Sequence, residues 1–495
     1  MAEVMSGTPA PVSMETDRFA DLLQKEFKPK TDLARTEVGR AVRTLAEQAL
    51  RETAVIGDDV IATIKAIIAE IDRKLSEQIN LIMHHDHFQK LESAWRGLHY
   101  LVSNTETDEL LKIRVMNVSK SDLARMLRKY KGAAWDQSPL FKRLYEEEYG
   151  QLGGEPYGAL MGDYHFDHTH QDVELLGQMA QIAAASHAPF ITGAASTLMG
   201  MDSWQELANP RDIAKIFSAP DYTAWRSLRQ SDDAKYVGLC MPRFLARLPY
   251  GAKSNPVEEF EFEEDTEGGD SRRYTWANAA YAMTANITRS FKLYGWCSLI
   301  RGVESGGLVE NLPVSAFPSD DGGLDMKCPS EIAISDRREA ELSNAGLMPL
   351  VHRKNTDMAA FIGAQSLQKP QEYADPDATA NARLSARLSY LFASCRFAHY
   401  LKCMVRDKIG SFKERDDMER FLSNWIHGYV LRNAATAGEE ARAERPLSGA
   451  EVKIDAVEGD PGYYSARFYL RPHYQLEGLN VTLSLVSRLP AEKKS

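Results

Sequence analysis

Cysteine is scarce in this sequence. Five occur in 495 residues (Cys240, Cys297, Cys328, Cys395 and Cys403), an odd number with no CxxC pair. That spacing excludes a disulfide framework or a zinc ribbon, and thiols scattered through a long chain read as reduced thiols of a cytoplasmic protein. Any run of about 18 uncharged apolar residues is also lacking, so no membrane span is expected. Residues 1–11 have neither the basic stretch nor the apolar stretch of a secretory signal. Positive charge is in deficit: 59 Lys and Arg against 70 Asp and Glu leave a net charge of −11, with a pI near 5.7. Nucleic-acid binding needs a basic face for phosphate contacts, and this balance argues against it. What remains is 44% hydrophobic and 26% charged residues, ordinary for a soluble globular chain and long enough for roughly three domains.

Along the chain, residues 1–13 are small and polar and read as disordered. A short amphipathic helix follows. Thr16 or Asp17 can cap it, Phe19, Leu22, Leu23 and Phe27 share a face, and Pro29 ends it. About eleven residues form no stable helix alone in water, so this one docks either on its own domain or, as a tethered recognition helix, on a partner. Residues 58–102 read as a long helix with one apolar seam at Ile64, Ile68, Ile71, Leu75, Ile79 and Ile82. Such a seam packs within the chain or against another subunit. Strand patterns begin with the alternating run at 111–118 and mix with helical ones through residue 380, which indicates an α+β or α/β domain. The acidic run 258–270 reads as a solvated loop or hairpin. Helices are expected at 377–405 and 416–433, then three strands at 450–457, 464–470 and 479–485. In the last of these Leu479, Val481, Leu483 and Leu485 face one way.

The chemistry these residues could support is thin. His84, His85, Asp86 and His87 are consecutive at a helix end, where neighbouring side chains diverge by about 100° and cannot easily converge on one ion. Asp163, His165, Asp167, His168 and His170 are better spaced for a strand face. A metal-dependent hydrolase built on them is the alternative function, and a histidine-rich surface loop is the plainer reading. The glycines between Gly302 and Gly307 match no phosphate loop or nucleophile elbow and read as positive-φ or close-approach positions. Glu263 and Glu264 read as solvated, with no apolar pocket to shift them. Short segments mixing arginine with aromatic rings, at 95–98, 242–250 and 396–400, fit either a protein interface or a core with surface arginines.

In and around those segments lie the runs FQKLESAWRGLHYLV (88–102), YEEEYGQLGGEPYGALMGDYHF (145–166), ASHAPFI (185–191) and LANPRDIAKIF (207–217). Further along are YVGLCMPRFLARLPYG (236–251), GWCSLIRGVESGGLVENLP (295–313), ARLSYLFASCRFAHYLK (386–402) and PGYYSARFYLRPHYQLEGLNVTLSLVSRLP (461–490). In this order they resemble the large sheath subunit of type VI secretion systems, the VipB/TssC/EvpB type, from about residue 55 to 490. Ser305 stands where that family often has glycine.

The resemblance implies a multidomain α+β contractile tail-sheath fold. Residues 1–55 would be a flexible segment with the recognition helix, 56–380 the main sheath domain, and 381–495 a gpW/gp25-like inner domain ending in a β-sheet edge. It implies a structural protein of the Gram-negative cytoplasm, not an enzyme, without cofactor or metal and without nucleic-acid partner or membrane insertion. The chain would pair with a small sheath subunit of the VipA/TssB type and polymerise around an Hcp-type tube from a baseplate. It would contract to drive the tube across the envelope, and a ClpV-type AAA+ ATPase would then recycle it. Phe19, Leu22, Leu23 and Phe27 are candidates for the ATPase-binding helix. Leu479, Val481, Leu483 and Leu485 are candidates for an inter-subunit strand, and a related phage-tail-like device remains a further alternative.

Overall fold

The computed structural model describes residues 36, 37, 40, 60–209, 211–252, 254–258, 260–266, 271–314, 316–318, 324–326, 328–407, 415–433, 437–456 and 464–473. The chain divides into two compact units, residues 1–89 with 248–274, and residues 90–247 with 275–495.

In the first unit, α1 (Val60–Met83) ends where His84 and His85 turn the chain, and α2 (Asp86–Ser103) begins immediately after. The single helix expected over 58–102 is therefore two. The His85 ring accepts the His87 amide at 3.3 Å, and Asp86 brings negative charge to the new N-terminus. Of the expected seam, Ile71, Leu75 and Ile79 are half-buried, whereas Ile68 and Ile82 are exposed. The acidic loop is not wholly solvated. Phe262 is buried, and the Glu264 side chain, 1% exposed, lies 3.6 Å from His84 Nε2 and accepts the Tyr250 amide at 2.9 Å. A carboxylate leaves water only where donors replace it. Asn80 clips the same loop, donating to the Glu263 carbonyl and accepting the Asp265 amide.

The second unit is built on a six-stranded sheet. Its strands are β1 (Leu160–Phe166), β2 (Phe190–Ala194), β3 (Val237–Met241), β6 (Leu308–Val309), β9 (Met348–His352) and β10 (Ala359–Phe361), in the order β1-β2-β3-β9-β10-β6. The first four run parallel, while β10 is antiparallel to both β9 and β6. Short pairs β4 (Phe244–Leu245) with β5 (Trp276–Ala277) and β7 (Ala316–Pro318) with β8 (Leu324–Met326) stand apart. Side chains alternate along each parallel strand, and both faces are dry. Val237, Leu239 and Met241 join a core with α3 (Lys120–Arg128), α4 (His170–Ser186), α5 (Ile213–Ser218), α6 (Thr223–Gln230) and α8 (Asp336–Asn344). Cys240, Ile191 and Met348 face the other core, dominated by α7 (Ala279–Tyr294). Helix α7 is buried along nearly its whole length, and Asn278 caps it by accepting the Ala280 amide at 3.0 Å.

Three expectations need correction here. The alternating run Leu111 to Val118 is extended but unpaired, with Val115 68% exposed. No described strand lies beside it; side chains fix it instead, through Arg114 with Glu148 and Glu155 and through the Tyr164 hydroxyl on the Val118 carbonyl. The helix expected over 377–405 is α9 (Pro376–Ser385) and α10 (Leu388–Asp407), because backbone at 386–388 is diverted to bond Ala364 and Ser366. The arginine-aromatic segments turn partly inward. Buried Arg247 donates to Glu92 at 2.6 Å, where Arg96 and Thr275 also donate, and Arg243 forks onto the buried Glu331 carboxylate.

Gly97 of α2 is a close approach between helices: a Cβ there would lie 2.3 Å from the Tyr281 ring on α7. Gly97→Ala is expected to lower the unfolding free energy in urea by about 1–3 kcal/mol. Adding Tyr281→Leu should recover part of that loss, a coupling that a double-mutant cycle reads directly.

Two desolvated histidines, half-buried His165 and buried His399, set an acid limit. Burial, with the Arg243 and Lys120 charges, pushes His165 down to about 3. Burial pushes His399 down to about 4, against the hydrogen bond it makes to the Ser186 carbonyl at 2.9 Å. The unfolded imidazole protonates near pH 6.5, so each contributes stability that is fully present above that pH and lost as pH falls toward its folded value. At pH 5 the loss amounts to about 2 kcal/mol per histidine. Thermal midpoints should be flat above pH 7 and fall between pH 6.5 and 5, with a shallower fall in His399→Gln.

Candidate assembly site

The end of the described chain forms its own layer. Helix α10 contributes Phe397 and Leu401, and α11 (Arg415–His427) contributes Leu422 and Ile426. Against them lies a hairpin of β11 (Leu447–Ala456) and β12 (Tyr464–Pro472). The helix expected over 416–433 ends at His427, beyond which the chain turns and Val430 bridges Leu447; the first two of the three expected strands are found here. The hairpin's faces follow period-two alternation. Val452 and Ile454, paired across the ladder with Phe468 and Ala466, face the helices. Glu451, Lys453, Arg467 and Tyr469 face outward and are exposed. Lys453 and Arg467 stand directly opposite, a like-charge pairing that would destabilise the ladder by itself; Glu451 and Asp455 neutralise it through ion pairs.

A residue outside this region completes its core. Trp296 follows Gly295, whose φ of 76° ends α7, and it stacks on Phe397 at 4.3 Å between centroids, with Tyr429 edge-on at 5.1 Å. Sequence reasoning missed this contact. Its one local signal was the glycine stop before an aromatic residue.

Among the described residues the hairpin sheet has two strands. Its only further strand contact is one bridge, Val430 to Leu447, at the start of β11. Two strands alone are marginal in water, and the helices behind them supply the support. Among the described residues no further strand lies along the outer edges of β11 and β12 beyond that bridge, and a strand edge is where an added strand can pair. The candidate strand residues Leu479, Val481, Leu483 and Leu485 lie outside the described residues, as do Phe19, Leu22, Leu23 and Phe27. On α2, Leu91, Trp95 and Val102 are exposed, Trp95 by 66%, and their spacing of four and seven places them on one face.

The donors that suggested a hydrolase are turned to separate tasks. Asp163 accepts from Asn278 at 3.3 Å, and burial raises its carboxyl above the usual range. Burial works to raise Asp167 too, but hydrogen bonds from Thr169 and the Lys120 charge outweigh it and hold the group low. His168 stacks on Tyr222 at 4.4 Å, and His170 opens α4. Among the described residues, no three His, Cys, Asp or Glu side chains are grouped to hold a metal ion. The glycine segment is structural: Gly306 has a φ of 90°, and a Cβ there would meet the Leu299 carbonyl at 2.2 Å. Ser305 donates to Glu439 at 3.1 Å.

Comparison with known proteins identifies the family. Residues 65–368 match the family model described as the EvpB/VC_A0108 tail sheath N-terminal domain. Residues 377–489 match the EvpB/VC_A0108 tail sheath gpW/gp25-like domain. The chain is 68% identical over 481 residues to the type VI secretion system sheath protein TssC1 of Pseudomonas aeruginosa, covering 97% of each. A cryo-EM structure of the anti-feeding prophage baseplate aligns over 77% of this chain and 83% of that one at 10% identity and a TM-score of 0.38, too loose a superposition to argue from. By the extent of the two matches and of the identity, the chain belongs to the EvpB/VC_A0108 tail sheath family.

Proposed function

We propose that the chain is the large subunit of a contractile type VI secretion sheath, held to its neighbours by strands added to the β11–β12 hairpin. Behind this reading stand a hairpin that is two-stranded among the described residues, seated on its aromatic helix layer, and the 68% identity to a type VI sheath protein. A small subunit of the VipA/TssB type pairs with it, and the pairs stack helically around an Hcp-type tube from a baseplate. The exposed apolar residues of α2 and the half-covered seam of α1 are surfaces such pairing would bury. Strand exchange suits a contracting tube, since flexible connectors let subunits rotate and slide while effective concentration stays high.

The protein works without catalytic residues, in the cytoplasm, and a ClpV-type ATPase takes contracted sheath apart by the helix bearing Phe19, Leu22, Leu23 and Phe27. Residues 1–55 serve as the flexible segment, 56–380 as the main sheath domain and 381–495 as the inner one, with Leu479, Val481, Leu483 and Leu485 on the donated strand.

The test is co-expression with the small subunit, followed by negative-stain imaging. The full chain should yield hollow tubes. Removing residues 478–495 should abolish them while near-ultraviolet dichroism shows the main domain still folded. Intact tubes from the shortened chain would overturn the strand assignment.

A further inference from the structure

The stretch from Lys112 to Asn117 runs without turn or bend. Among the described residues, none of its backbone amides or carbonyls has a hydrogen-bond partner. Val115 and Met116, which point to opposite faces by strand alternation, are 68% and 48% exposed.

Yet the stretch is anchored as few surface loops are. At one end the Asp108 carboxylate accepts the Leu110 and Leu111 amides at 2.7 and 2.8 Å. At the other the Val118 carbonyl accepts the Tyr164 hydroxyl at 2.8 Å, and Ser119 caps α3 by accepting the Asp122 amide at 3.1 Å. Between them Ile113 packs on the core around α7. Lys112 pairs with Glu155, and Arg114 reaches Glu148, Glu155 and the Tyr157 hydroxyl. A backbone held straight at both ends, with its polar groups unused, is a strand without a neighbour. Because it is already ordered, pairing costs it little conformational entropy.

We propose that residues 112–117 take up an extended strand of the companion small subunit, one with apolar side chains that cover Val115 and Met116; this rests on the sheath reading above. The backbone dictates the class of ligand, since only another extended chain meets unpaired amides and carbonyls at strand spacing. The same stretch of a second copy does not fit. Pairing antiparallel with itself creates a two-fold axis, which sets the two copies in opposed directions, whereas copies stacked from a baseplate all point one way. Pairing parallel with itself brings Lys112 and Arg114 each close to the like charge of the neighbour. A different polypeptide meets neither obstacle.

Hydrogen exchange of the full chain, alone and co-purified with the small subunit, tests this on peptides spanning residues 108–119. Alone, the chain should exchange every amide of 112–117 at nearly the unfolded rate. In the complex about half of those amides should slow by about a hundredfold, because one added strand bonds alternate amides. Proline variants probe the same edge. Val115→Pro and Met116→Pro each remove an amide that bonds nothing in the free chain, so thermal midpoints should not move. Adjacent amides point to opposite sides, so one of the two variants should lower capture of the small subunit on an affinity tag by about tenfold or more, and the other should lower it less. Protection already present in the chain alone, or none gained in the complex, would overturn the proposal, as would capture that survives both prolines. An unaltered chain that captures no small subunit would sink the sheath reading itself, and this inference with it.

Discussion

Every backbone amide and carbonyl removed from water has to find a partner, and the arrangement of this protein follows from where those partners are found. In the central sheet they are found internally. Four parallel strands are covered on both faces, and β10 and β6 close one side in antiparallel pairing. In the C-terminal layer the described residues give a single ladder between two strands, with one bridge beside it. A sheet with one ladder is also a part of the chain where an added strand would bring new backbone bonds.

Much of this was legible in the residues, for specific reasons. The runs at 450–457 and 464–470 were legible as strands, and the structure pairs them as a hairpin whose alternation follows from one dry face and one wet one. The parallel strands were harder to separate from helix, since residues such as Val237, Leu239 and Cys240 are buried on both faces and carry no alternation. Helix breaks were invisible for a different reason. Nothing in residues 377–405 signals that Leu388 will bond Ala364, because the competing partner is distant in sequence. The run at Leu111 to Val118 shows the converse case, a clear strand pattern with no described strand beside it.

Charge was the least readable property. Glu264 and Arg247 looked like surface residues and are nearly inaccessible. Each is matched by partners well separated from it in the chain, His84 for the first and Glu92 for the second. Sequence spacing reports charges that meet along one helix, and it is silent on those that tertiary folding brings together. The same silence hid the separate duties of Asp163, Asp167 and His168, whose proximity in sequence suggested one site.

Trp296 leaves the end of the long buried helix and enters the aromatic layer behind the hairpin. A tug on the hairpin edge is therefore passed through stacked rings to a helix that spans the sheet. Contacts of this kind yield gradually under shear, with no single bond whose rupture would disconnect the two. A load on the hairpin layer is thereby carried into the helix that packs on the central sheet, as through a handle.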